Sequence, residues 1–179
     1  MNVLLEARGK HERRWERYPD YMDSGIEWLG EVPEGWDVKR LKYVCCRSAL
    51  YGANEPSDRY LEEGVRFLRT SDIDECGELN QSKGVYVARS VIREYLLEDG
   101  DLLISRSGTL GRSFIYDKKS HGECAYAGYL VRFSFHDNMV PRFVFYGIYT
   151  ITPPSLRTSY ILIPTIHLKC VHRHSLTRN

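Results

Sequence analysis

The sequence predicts a mixed α+β fold: a twisted, mostly antiparallel sheet with short helices, in a single globular domain. Three observations lead there. The apolar runs are short, as in Val65-Arg-Phe-Leu-Arg, Val85-Tyr-Val-Ala and Asp101-Leu-Leu-Ile-Ser, and each is bounded by turn-forming residues. Few segments carry helical spacing. The chain has 179 residues, 42% hydrophobic and 27% charged, which suits one packed domain and argues against wholesale disorder.

The elements follow in order. Residues 1–17 are charge-dense and lack an apolar stripe, so they read as a disordered or weakly helical extension. Over 21–36, Gly25, Gly30, Pro33 and Gly35 interrupt Tyr21, Ile26, Trp28, Leu29, Val32 and Trp36. That pattern predicts an irregular segment pinned by large side chains. Apolar residues at 38, 41 and 44 favour a short helix after Trp36, with a bent strand as the alternative. Tyr51-Gly-Ala-Asn-Glu-Pro is a loop by composition.

Strands are expected at Val65–Arg69 and Val85–Ala88. Ser90 can cap a helix over 91–97. Asp101–Ser105 and Arg112–Tyr116 read as a hairpin joined across Arg106–Gly111. A further strand is expected within Ala125–Phe135, and Pro141 can open a helix to about Tyr149. From Thr150 the chain holds Pro153, Pro154, Pro164, His167, His172 and His174, with no acidic residue and no settled period. It reads as an atypical tail, frameshifted or disordered.

Charge limits the function classes. Lys plus Arg is 25 and Asp plus Glu is 24, so no generally basic nucleic-acid surface is indicated. Local positive charge does exist, because Lys39, Arg40, Lys42 and Arg47 oppose only Asp37 between 36 and 48. No apolar run reaches a membrane span, and five cysteines without a Cys-x-x-Cys suggest a reducing cytoplasm.

Enzyme motifs are mostly incomplete. His11-Glu12 lacks the second histidine of a zinc protease helix, and His121-Gly-Glu123 lacks the cysteine half of a zinc deaminase. Nucleophile-elbow, phosphate-loop and dinucleotide-binding patterns are absent. Asp20, Asp37 and Lys39 fit a permissive nuclease pattern, in which two carboxylates hold Mg²⁺ and the lysine steadies the attacking water. Cys170, His172 and His174, with His167 nearby, have zinc-ligand chemistry but a tail-like context. Cys45-Cys46 reads as two small semi-buried residues.

A more distributed signal lies in three polar loops: Tyr51-Gly-Ala-Asn54, Arg69-Thr-Ser-Asp72 and Ser105-Arg-Ser-Gly-Thr109. Arginine suits guanine edges, asparagine adenine, and serine or threonine either. Ordinary solvated loops are the competing reading.

Several longer runs carry a resemblance. Tyr18-Pro-Asp-Tyr-Met-Asp-Ser-Gly-Ile-Glu-Trp-Leu-Gly-Glu-Val-Pro-Glu-Gly-Trp-Asp-Val-Lys-Arg-Leu-Lys resembles the opening of type I restriction-modification specificity subunits. Tyr51-Gly-Ala-Asn-Glu, Gly64-Val-Arg-Phe-Leu-Arg-Thr-Ser-Asp-Ile and Gly100-Asp-Leu-Leu-Ile-Ser-Arg-Ser-Gly-Thr-Leu-Gly resemble successive blocks of a target recognition domain, in the same order.

The resemblance implies a non-catalytic DNA-recognition domain over 18–149, reading half of a split site in double-stranded DNA through the major groove. It implies a methyltransferase (M) partner and a translocase/nuclease (R) partner, and S-adenosylmethionine, ATP and Mg²⁺ would belong to those subunits. Tyr51, Asn54, Arg69, Thr70, Ser71, Arg106, Ser107 and Thr109 are the expected DNA contacts, while Trp28, Leu29 and Trp36 are expected to anchor the fold. The family's coiled-coil spacer helix is not recognisable after Tyr149, so the chain is expected to be an N-terminal fragment. The metal-dependent nuclease and a non-functional gene remnant are the alternatives.

Overall fold

A computed structural model describes residues 17–27, 29–150 and 167–168. The expectations for residues 1–16, for Trp28 and for the tail over 151–166 and 169–179, including Cys170, His172 and His174, lie outside the described residues. The chain divides into two compact units, one ending at Trp36 and one beginning at Asp37.

The first unit corrects the irregular segment predicted for 21–36. β1 (Tyr21–Asp23) and β2 (Glu31–Pro33) form an antiparallel hairpin in which Met22 faces Val32. Gly25 and Gly30 serve the turn between the strands, with φ of 71° and 64°. The Asp23 carboxylate accepts the Gly25 amide at 2.9 Å and closes that turn. The Tyr18 ring meets Trp36 edge-on at 5.6 Å, and Leu29 and Trp36 are half-buried.

The second unit opens with β3 (Lys39–Arg40) and a 3-10 turn at Leu41–Tyr43 in place of one helix. Then follow β4 (Leu50–Tyr51), β5 (Val65–Leu68), β6 (Val85–Val87), β7 (Leu102–Ser105), β8 (Ser113–Ile115), α1 (Lys118–His121), β9 (Cys124–Tyr126), β10 (Leu130–Phe133), α2 (Pro141–Thr150) and β11 (His167–Leu168). One sheet has the order β4-β10-β7-β8 and is antiparallel throughout; β7 and β8 are the predicted hairpin. A second has the order β6-β5-β9, with β5 and β9 parallel. β11 pairs with β3.

Strand alternation assigns the core. Leu102 and Ile104 of β7 join Val131, Phe133, Val144 and Ile148 beneath α2. Leu103 points the other way, with Leu130, Phe114, Leu68, Cys124 and Tyr126 in a layer shared by both sheets. Val65, Phe67, Val87, Ile92 and Ala125 form the third cluster on the far face of the smaller sheet. β7 therefore reads as a continuous apolar run because both of its faces are covered.

Two sequence expectations give way to tertiary packing. The helix predicted over 91–97 is only a 3-10 turn at Arg93–Tyr95. Leu96 bridges Ala125 of β9 instead, and the Leu97 amide donates to the Cys124 carbonyl at 2.9 Å, so the segment extends the sheet edge. The single strand expected in Ala125–Phe135 is two, because the chain crosses from one sheet to the other between Tyr126 and Leu130.

Candidate nucleic-acid interface

That crossing forms the floor of a cleft. Ala53 bridges Ala127 in parallel; the Ala53 amide donates to the Tyr126 carbonyl at 2.9 Å and the Gly128 amide to the Ala53 carbonyl at 2.8 Å. The Ala127 amide donates to the Leu68 carbonyl at 2.9 Å, tying in the end of β5. Gly52 permits this close approach. A Cβ there would fall 2.5 Å from the Ala127 carbonyl atoms and closer still to the Tyr126 oxygen.

One wall is the 3-10 turn Thr70–Asp72 after β5. The Asp72 carboxylate is buried and accepts hydrogen bonds from the Arg69 amide at 2.9 Å, its Nε at 3.0 Å and its Nη2 at 2.8 Å. Arg69 Nη2 also donates to the Lys83 carbonyl at 3.0 Å. The hydrogen bonds to Asp72 push the already high Arg69 pKa further up.

The opposite wall is the β7–β8 loop. Ser105 Oγ donates to the Thr109 carbonyl at 2.5 Å and accepts the Arg112 amide at 2.9 Å, bracing the turn from within. Gly108 and Gly111 take φ of 75° and 78° there.

Between these walls lies a cleft of about 780 Å³. Asn54, Arg69, Thr70, Ser71, Ser107 and Thr109 all line it, so six of the eight expected contact residues, drawn from three separate loops, share one concavity. Thr70 Oγ1 is buried there with no hydrogen-bond partner among the described residues. The other two, Tyr51 and Arg106, form a pair of their own: the Arg106 guanidinium lies over the Tyr51 ring, 4.3 Å from its centroid. Glu55, Tyr60 and Tyr129 also line the cleft and were missed. Tyr129 is 64% exposed, and its place beside Gly128 at a sheet crossing was a signal that local pattern reading does not weigh.

The expected basic stretch is partly neutralised. Lys39 pairs with Asp37 at 3.7 Å and Arg47 with Glu98 at 3.0 Å, while Arg40 and Lys42 are exposed. The nuclease trio is split between units: Asp20 belongs to the first, Asp37 and Lys39 to the second. Among the described residues no group of three or more His, Cys, Asp or Glu side chains is placed to hold a metal. His121 Nδ1 lies 2.9 Å from the Asp117 carbonyl and Glu123 is paired with Arg89, so that partial motif is spent on structure. Among the described residues no helix is long and apolar enough to cross a membrane.

No protein-family model and no curated protein matches the sequence. Nine solved chains match the fold, among them the following two. One is a chain from a structural study of complex assembly and conformational transition in the type I R-M system, with a TM-score of 0.59 and 18% identity over 78% of this chain and 35% of that one. The other is the HsdS subunit from Thermoanaerobacter tengcongensis, with a TM-score of 0.57 and 17% identity over 84% of this chain and 36% of that one. Over most of its length this chain is structurally similar to type I R-M HsdS specificity subunits, and it spans about a third of theirs.

Proposed function

We propose that this chain recognises double-stranded DNA as a target recognition domain of a type I restriction-modification specificity subunit. The convergence of Asn54, Thr70, Ser71, Ser107 and Thr109 on one cleft is the observation that carries the reading. Hydroxyls and amides both donate and accept, so such a lining can match base edges or phosphate oxygens. The β-sheets supply a fixed frame and the loops supply the chemistry, which is how a recognition module keeps its shape while its target changes.

The residues then take distinct roles. Arg69 organises the wall through Asp72 and the Lys83 carbonyl. Arg106 and Tyr51 stand beside the cleft with the exposed Tyr129 at its rim. The domain comprises residues 18–149, reads half of a split site in the cytoplasm, and has no catalytic step of its own. It directs an adenine-methyltransferase subunit and a translocase/nuclease subunit, which carry S-adenosylmethionine, ATP and Mg²⁺.

Selection of random duplexes on the full chain, followed by binding at several salt concentrations, tests this reading. Enrichment of one sequence is expected, with affinity that falls as salt rises. Co-purification with the neighbouring methyltransferase and mapping of methylated adenines then test the partner assignment. A chain that enriches no sequence, alone or with that partner, is not a recognition domain.

A further inference from the structure

We infer that Arg106 reads a guanine and that Tyr51 is the positioning residue that aims it; this rests on the DNA-recognition reading above. The argument begins with the strand order. β4 and β7 flank β10, with Tyr51 opposite Val131 and Ser105 opposite Leu130. The residue that ends β4 and the residue that follows β7 are thereby brought together across the start of β10. The Tyr51 ring is 62% exposed, and the Arg106 guanidinium sits over it at 4.3 Å.

What distinguishes Arg106 is how its charge is held. Arg69 spends Nε and Nη2 on Asp72, Arg66 donates to Gln81 and the Asn80 carbonyl, and Arg112 donates to the Ile73 carbonyl. Those guanidinium groups are committed to the fold. Arg106 is exposed, and its side chain makes no hydrogen bond among the described residues; an aromatic face restrains it without consuming its N–H donors. Its backbone is fixed as well, because the Arg106 amide donates to the Tyr129 carbonyl at 2.9 Å.

A restrained, planar fork with unspent donors is suited to the paired acceptors O6 and N7 of guanine in the major groove. A phosphate could also accept from it, so base and backbone contact must be separated by experiment.

Random-duplex selection with the full 179-residue chain makes that separation. Wild type is expected to enrich a sequence with a guanine at one position that Arg106→Ala relaxes to any base, leaving the other positions unchanged. Tyr51→Leu is expected to relax the same position, and Tyr51→Phe to retain it. Arg106→Lys keeps the charge and lacks the fork, so it is expected to lose the guanine preference while keeping the salt dependence. Replacing that guanine by 7-deazaguanine is expected to weaken wild type about tenfold and to leave Arg106→Ala unaffected.

Melting curves confirm that each variant is folded. If Arg106→Ala weakens binding to all duplexes equally and shifts no position, Arg106 touches phosphate and the inference is overturned while the recognition reading stands. If Tyr51→Leu leaves the guanine preference intact, the positioning role is overturned. If wild type enriches nothing, alone or with the methyltransferase partner, both readings fall together.

Discussion

Asp72 and Arg69 form a closed pair at the mouth of the cleft: one carboxylate, 1% exposed, accepts the backbone amide and two side-chain nitrogens of the residue three positions earlier. The arrangement fixes the direction in which the chain leaves β5. It therefore sets where Thr70 and Ser71 stand, and the Ser71 hydroxyl donates to the same carboxylate at 3.3 Å.

Removing the acceptor should be costly. Asp72→Ala leaves Arg69 without its main partner and opens the turn, and a loss of about 2–3 kcal/mol is expected, below the buried-pair range because Arg69 is partly exposed. Urea titration checks this. An unchanged midpoint would show that the pair does not hold the wall.

Steric exclusion at the cleft floor gives a sharper contrast. Gly52→Ala puts a methyl group against the Tyr126 and Ala127 backbone, and a loss of at least about 1–3 kcal/mol is expected. Gly84→Ala, whose new Cβ would meet nothing closer than 3.5 Å, should be nearly neutral. Thermal melts of the two variants side by side decide it; similar melting temperatures would mean that the floor can shift.

Acid and base act oppositely on two carboxylates. Arg89 grips Glu123 at 2.9 and 3.0 Å and lowers its pKa. Its stabilisation is present above the ordinary glutamate value and is lost as the pH falls through the lowered one. Asp101 is 2% exposed beside Arg132, which is 5% exposed; burial raises the Asp101 pKa despite the Ser134 hydroxyl, the Glu98 amide and Arg132. Its contribution is present below the ordinary aspartate value and is lost as the pH rises through the raised one. Glu123→Gln is therefore expected to flatten the acid limb of a stability–pH curve. The stability lead of wild type over Asp101→Asn is expected to shrink as the pH climbs through that window. Denaturation midpoints between pH 3 and 7 test both signs.

Thiol reactivity should divide by position. Burial pushes the Cys124 thiol up to about 11 and the Cys45 thiol, with help from Cys46, up to about 12. Cys46 and Cys76 are exposed. Brief alkylation at neutral pH followed by mass mapping should modify Cys46 and Cys76 and spare Cys45 and Cys124 until denaturant is added. Labelling of Cys124 in the folded protein would contradict its burial in the layer shared by the two sheets.

Much of the frame was legible in the sequence because its signals are local. Val65–Leu68, the hairpin from Leu102 to Ile115 and the helix from Pro141 each announce themselves by periodicity or a turn. Residues 91–97 did not, because their apolar face was read against a helix while Leu96 and Leu97 answer to β9, far along the chain. The hairpin at Tyr21–Pro33 was obscured for a different reason: its strands are three residues each, too short to show a period between glycines. At the cleft, residue chemistry marked the three loops. Only the sheet crossing at Ala127 explains why they meet, and only the folded arrangement distinguishes the committed fork of Arg69 from the unspent one of Arg106.

The parallel pairing of β5 with β9 also orders events in time. Arg66 must find Cys124, and Ala53 must find Ala127, before the cleft has a floor. Contacts that distant pay their loop-closure entropy first and form slowly. During synthesis the loops at Asn54 and Thr70 emerge early and stay unorganised until the segment through Gly128 has followed. The cleft is thus expected to be among the last parts of the second unit to assemble, and slow refolding with late protection of the Ala53 and Ala127 amides is its expected kinetic signature.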